Sequence, residues 1–79
     1  MQKNVINGKT PQEWFAERLK ENMRIKGVSS VTIERETGIS HSAISAWVNL
    51  KRSPQIDMLC LLADYFDCTV DYLLGRSEY

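Results

Sequence analysis

Between Ser30 and Asn49 the chain reads as two short amphipathic helices separated only by Gly38-Ile39-Ser40. A link of three or four residues, built on a glycine, makes two helices cross at a steep angle. Gly38 is suited to the corner because glycine adopts positive φ at no steric cost. Ile39 drops an apolar side chain into the turn, and the Ser40 hydroxyl is suited to cap the helix that follows. Ser29 or Ser30 caps the first helix of the pair, which runs to about Thr37, and the second runs from His41 to about Asn49. Wound at 100° per residue, the second helix has two faces. Ile44, Trp47 and Val48 fall on one side, while Ser42, Ser45, Ala46 and Asn49 fall on the other, with His41 at the N-terminal flank. The first set can be core, so Trp47 is read as a core residue rather than a stacking platform. The second set is small and polar, as a helix entering a major groove about 12 Å wide requires.

The flanking segments are helical too. Thr10-Pro11-Gln12-Glu13 carries a reciprocal cap, with proline where a missing N–H costs nothing. Phe15, Leu19 and Met23 then recur every four residues, the period of a helix with one buried face. Gly27 ends this helix, after Arg24 and Lys26 in a last turn where cations suit the dipole. Lys51-Arg52-Ser53-Pro54 is a loop, and a fourth helix follows from about Ile56 to Phe66. Ile56, Leu59, Leu62, Ala63 and Phe66 form its expected buried face, too short for a coiled coil. Asp67-Cys68 makes a tight link, Thr69 caps a last short helix through Val70, Leu73 and Leu74, and Gly75 closes it. No segment alternates like a strand and no internal repeat is visible. The reading is an all-α domain over residues 11–75, with tails at 1–10 and 76–79.

Seventy-nine residues fit one domain, and a chain of this size buries only about 60% of its unfolded surface. Cys60 and Cys68 form no zinc spacing with each other or with His41. Cys60 is expected as a core thiol and Cys68 as a small buried loop residue. Met1 to Thr10 lacks the apolar run of a signal peptide, and no stretch approaches the roughly 18 apolar residues of a membrane helix. These features predict a cytoplasmic protein with reduced thiols and no membrane association. Net charge is zero, but its distribution is polarised. Arg18 to Ile56 holds seven basic and three acidic residues; Asp57 to Leu74 holds four acids and no base. The basic middle can face phosphates while the acidic end faces away. Neither a nucleophile–base pair, a glycine-rich phosphate loop nor a metal-ligand cluster is evident, so no enzyme, cofactor, metal or small-molecule ligand is expected.

Four segments, in this order and spacing, carry a resemblance: Gly38-Ile39-Ser40-His41-Ser42-Ala43-Ile44-Ser45-Ala46-Trp47, Lys51-Arg52-Ser53-Pro54, Leu62-Ala63-Asp64-Tyr65-Phe66 and Asp71-Tyr72-Leu73-Leu74-Gly75. From about Phe15 to Gly75 the chain resembles the Cro/repressor-type, XRE-like helix-turn-helix family. The resemblance implies a compact, lambda-repressor-like five-helix bundle with a central helix-turn-helix. It also implies a bacterial or phage transcription regulator that binds double-stranded DNA as a homodimer. By position it puts His41, Ser42, Ser45, Ala46 and Asn49 against base edges. Asn49 matches an adenine edge, Ser42 and Ser45 suit several bases, and Ala46 suits a thymine methyl. Lys51 and Arg52 are expected on phosphates, which set register but read no sequence. Ser29 and Ser30 offer hydroxyl and N–H donors to a phosphate, and Ser40 is placed with them. The acidic, apolar C-terminal end, with Val70, Tyr72, Leu73 and Tyr79, is the expected pairing surface.

The chain departs from the family's pattern at several positions. Ser30 stands where glutamine is frequent, Thr37 where leucine is usual, Ala46 where arginine or lysine is common, and Leu50 where glycine is common. Glu34 replaces the usual alanine at the close crossing of the two helices, where it must bend out to solvent or open the packing. A cation-poor second helix and zero net charge leave a second reading open, a protein-interaction or antitoxin-like module. The two readings are separated by retention on heparin or random DNA at low salt, because non-specific binding depends mostly on cation–phosphate contacts.

Overall fold

The computed structural model describes residues 5–79. Five helices follow one another: α1 Pro11–Lys26, α2 Ser30–Thr37, α3 His41–Val48, α4 Ile56–Tyr65 and α5 Val70–Leu73. Among the described residues there is no strand, only an isolated bridge between Ile6 and Lys9. No helix among them is long and apolar enough to cross a membrane.

The helix starts follow from local chemistry. Thr10 Oγ1 accepts the Glu13 N–H at 3.2 Å and Glu13 Oε1 accepts the Thr10 N–H at 2.9 Å, so two free donors at the head of α1 are satisfied reciprocally. Ser29, Ser40 and Thr69 each accept the N–H three residues on, from Thr32, Ala43 and Tyr72. Gln55 precedes α4 without a side-chain cap.

The helices meet on Phe15 and Leu19 from α1, Ile33 from α2, Ile44 from α3, Leu62 from α4 and Leu73 from α5, all essentially inaccessible to solvent. Burying each side chain of this kind is worth about 1.5–3 kcal/mol relative to leaving it exposed. Ile39, Trp47 and Ala63 complete the cluster. Phe15 and Trp47 meet edge to face, with ring centroids 6.0 Å apart, an arrangement aromatic quadrupoles favour. This contact fixes α3 against α1 by its inner face.

Two expectations are corrected. Ile56 was expected on the buried face of α4 but is 78% exposed. It stands at the first position of the helix, where no other element reaches it. Cys60 was expected in the core but is exposed, whereas Cys68 is half-buried. The α4 face that meets the core is the one carrying Leu62 and Ala63, and Cys60 points away from it.

Residues 5–10 and 76–79 are attached to the domain rather than free tails; residues 1–4 lie outside the described residues. Trp14 Nε1 donates to the Ile6 carbonyl at 2.8 Å, and Lys9 Nζ lies 4.6 Å from the Trp14 ring centroid. Arg18 stacks near both Trp14 and Tyr72, 4.9 and 4.2 Å from their ring centroids. Its guanidinium donates to the Tyr72 and Ser77 carbonyls. One arginine of α1 therefore ties down the C-terminal residues, because its planar fork can stack and donate at once.

Candidate nucleic-acid interface

The corner between α2 and α3 is tied by its own backbone. Gly38 takes a left-handed conformation, φ 86°, and its N–H donates to the Glu34 carbonyl. Thr37, where the resemblance led to an expectation of leucine, uses its hydroxyl twice. It donates to the Ile33 carbonyl at 2.7 Å and accepts the Ile39 N–H at 3.1 Å. Side-chain bonds of this local kind replace helix bonds that the turn gives up. Ile39 is buried and anchors the corner to the core.

On α3, Ile44 and Trp47 are buried, whereas His41, Ser42, Ser45 and Asn49 are exposed and Ala46 is half-buried. The polar residues form one outward arc because the inner arc is held by the core. Asn49 is the C-cap, one residue beyond the last helical position. Its Nδ2 donates to the Ser45 carbonyl at 2.9 Å, which leaves its carbonyl oxygen without a protein partner among the described residues.

Glu34 resolves the crowding expected at the helix crossing by turning outward over the start of α3. Its Oε1 accepts the His41 N–H at 3.1 Å and lies 2.6 Å from His41 Nδ1. A carboxylate there meets the positive end of the α3 dipole. The hydrogen bonds from the His41 ring and then from its backbone hold the Glu34 carboxyl below the usual carboxylate range. The sequence reading placed Glu34 at the crossing and His41 on the flank but did not join them. The signal was an acid one turn before the glycine and a histidine just past the serine cap.

At its other end α3 closes with a six-residue wrap: Lys51 N–H donates to the Ala46 carbonyl and Leu50 N–H to that of Trp47. This Schellman geometry needs a left-handed residue, usually glycine. Leu50 supplies it at φ 62°. The wrap turns the chain sharply and sets Lys51 and Arg52, both exposed, just past α3.

A helix-turn-helix family model matches residues 18–73. The chain belongs to the helix-turn-helix family. It is of the Cro/repressor, XRE-like type. It is 25% identical over 64 residues to YobD, an uncharacterised HTH-type transcriptional regulator of Bacillus subtilis (strain 168). That alignment covers 81% of this chain but 57% of the relative's length. Among solved structures it is similar to the P22 c2 repressor protein, in complex with synthetic operator 9T in the presence of Tl+. The TM-score is 0.73 at 25% identity, covering 80% of this chain and 96% of that one.

Within this helix-turn-helix, the expected phosphate-side residues are only partly free. Ser29 Oγ accepts the Thr32 N–H and shares a hydrogen bond with Thr32 Oγ1. Ser40 Oγ accepts the Ala43 N–H, so its own hydrogen is still available to donate. Ser30 is half-buried. Arg52 and Ser40 line a shallow cleft of about 400 Å³ with Gly38, Ala43 and Trp47 at the helix-turn-helix corner. Of the seven bases in the middle of the sequence, Arg18 is bound to the C-terminal carbonyls, Arg24 pairs with Glu21, and Lys26 lies over the Tyr65 ring. Lys20, Arg35, Lys51 and Arg52 make no ion pair among the described residues, and all four are exposed.

The expected pairing surface needs a correction. Leu73 has no solvent exposure. It is the α5 contribution to the core, so it cannot also face a second subunit. Val70 and Tyr72 are half-buried, packed against the core, and Tyr79 is 85% exposed.

Proposed function

We propose that this protein is a transcription regulator that binds double-stranded DNA sequence-specifically through α3, and that it does so as a homodimer. The observation that carries the reading is the split of α3. Ile44 and Trp47 are locked in the core while His41, Ser42, Ser45 and Asn49 stand outward. A helix with side chains is about 10–12 Å across, so a narrow, short-chained face fits a major groove about 12 Å wide. In this reading His41, Ser42, Ser45, Ala46 and Asn49 meet base edges, and the free carbonyl oxygen of Asn49 accepts from an adenine amino group. Lys51 and Arg52, turned out by the Leu50 wrap, meet phosphates, with Ser29, Ser30 and Ser40 as further donors. Family membership supports this, as do a relative named as a transcriptional regulator and a structural neighbour solved with an operator. No catalytic role is assigned, and the protein would work in the cytoplasm.

One module buries only about 600–1,000 Å² of its surface on DNA. Two-fold pairing joins two such contacts on half-sites roughly 34 Å apart. Val70, Tyr72 and Tyr79, without Leu73, remain the surface proposed for pairing.

The test is a selection from random oligonucleotides followed by mobility shifts. Asn49→Ala and Ser45→Ala should each relax preference at single bases by about 1–3 kcal/mol. Lys51→Ala should weaken all sequences alike and flatten the salt slope by about one. Shifts unchanged by all three would refute this docking. The absence of any cation on α3, with Arg18, Arg24 and Lys26 each engaged by another group of the chain, favours a second reading as a protein-interaction module. No retention on heparin or random DNA at low salt selects that reading.

A further inference from the structure

We propose that Glu34 and His41 form one base-reading unit, in which Glu34 is a positioning residue that fixes which atom of the His41 ring meets the DNA. The inference rests on the reading of α3 as the DNA-facing helix. Glu34 Oε1 is 2.6 Å from His41 Nδ1 and also accepts the His41 backbone N–H. An ionised carboxylate only accepts, so Nδ1 must carry the hydrogen. The ring is thereby held at two points of its own residue, and its tautomer is set by the bond the inner nitrogen makes. The outer nitrogen, Nε2, has no protein partner among the described residues, and His41 stands on the exposed flank of α3.

The chemistry of Nε2 follows. On a neutral ring with Nδ1–H, Nε2 is an acceptor. It complements the exocyclic amino group of adenine or cytosine in the major groove. On a protonated ring Nε2 becomes a donor, which complements guanine O6 and N7, thymine O4 or a phosphate. The unit therefore offers an acceptor on the neutral ring and a donor on the protonated one. A helix-turn-helix with alanine at the crossing has no group there to choose the tautomer.

The charges around the ring are few. From α2 comes Glu34; Glu36 of the same helix is held by the Tyr65 hydroxyl at 2.6 Å, and Arg35 is exposed without a partner. The loop after α3 brings Arg52 into the cleft that Ser40 lines, with Lys51 beside it. No other residue of α3 is charged, and α1 makes no hydrogen bond or ion pair with the ring.

The experiment compares the wild-type chain with Glu34→Gln, whose amide donates as well as accepts and so no longer dictates the tautomer. Nitrogen NMR without DNA reads the ring directly. With the ring neutral, the wild type should show the Nδ1–H form and E34Q a mixture. Site selection then reads the consequence. With the ring neutral, the wild type should prefer adenine or cytosine at one position by about fivefold or more, the low end for a base-edge contact. That preference should fall towards one in E34Q and in His41→Ala. A wild-type ring in the Nε2–H form overturns the proposal whatever the DNA result. So does a preference that E34Q leaves unchanged; in that case DNA reading by Ser45 and Asn49 stands without it. If the wild type selects no sequence at all, the DNA-binding reading itself has failed and this unit fails with it.

Discussion

Gly75 is the residue whose replacement the structure prices most directly. It takes φ 78°, and a Cβ built there would lie 2.2 Å from Trp14 Cγ and 2.4 and 2.5 Å from two further indole carbons. Gly27 has nearly the same backbone, φ 73°, with nothing within 4 Å of the added carbon. Both positions share the conformational part of the cost of alanine. A left-handed L-residue is disfavoured by about 1–2 kcal/mol, offset by about 0.4–1 kcal/mol from the stiffer unfolded chain. Gly27→Ala should therefore cost about 1 kcal/mol. Gly75→Ala should cost that plus the clash. Trp14 is not free to swing aside, since its Nε1 is bonded to Ile6 and its ring carries Lys9 and Arg18. Forcing extra atoms into a packed site costs about 1–3 kcal/mol. Each kcal/mol lowers the melting temperature of a domain this size by about 4–8 °C. Thermal and urea unfolding of the two variants, followed by circular dichroism, measures the difference. Equal melting of Gly75→Ala and Gly27→Ala would show that the indole gives way freely, and the clash argument would be wrong.

Two further outcomes are expected. Leu50, 47% exposed and left-handed, should be replaced better by glycine than by alanine. Both lose the same leucine contacts but only glycine relieves the backbone, so Leu50→Gly should be about 0.5–1 kcal/mol more stable than Leu50→Ala. The reverse order in urea melts would contradict the Schellman assignment. For Tyr65, burial first and the hydrogen bond to Glu36 second push the phenol up from 10.0 to about 12. Its proton is held more tightly folded than unfolded, so this contribution is intact below about pH 10 and is lost as pH rises towards about 12. Phenolate absorbance should show Tyr65 titrating after free tyrosine, and Tyr65→Phe should flatten that alkaline loss of stability; titration in step with free tyrosine would refute it.

Much of the fold could be read locally. The helix starts at Thr10, Ser29, Ser40 and Thr69 and the stops at Gly27, Gly38 and Gly75 are each decided within about four residues, the range over which capping acts. The two faces of α3 were legible for the same reason, since helical winding alone separates Ile44 and Trp47 from Ser42, Ser45 and Asn49. Ile56 and Cys60 were misread because an apolar residue at helical spacing is buried only if another element covers it. Periodicity cannot tell which elements arrive. Leu73 was misread for the converse reason: α5 is one turn long, and its place in the core is set by α1 and α4.

Electrostatics was least legible. Counting charges along the chain gave a basic middle, but Arg18 spends its fork on the Tyr72 and Ser77 carbonyls, more than fifty residues away. Glu34 and His41 are seven residues apart and meet only because the Gly38 corner folds α3 back across the end of α2. What the sequence determined by itself was therefore what short-range chemistry controls: five helices, their ends, the turn, and which side of the third helix is oily. Tertiary packing alone decided which cations remain free, which apolar residues stay exposed, and that a glutamate grips the histidine at the head of that helix. Hydrogen bonds and ion pairs act across space, and only the assembled bundle brings those partners within reach.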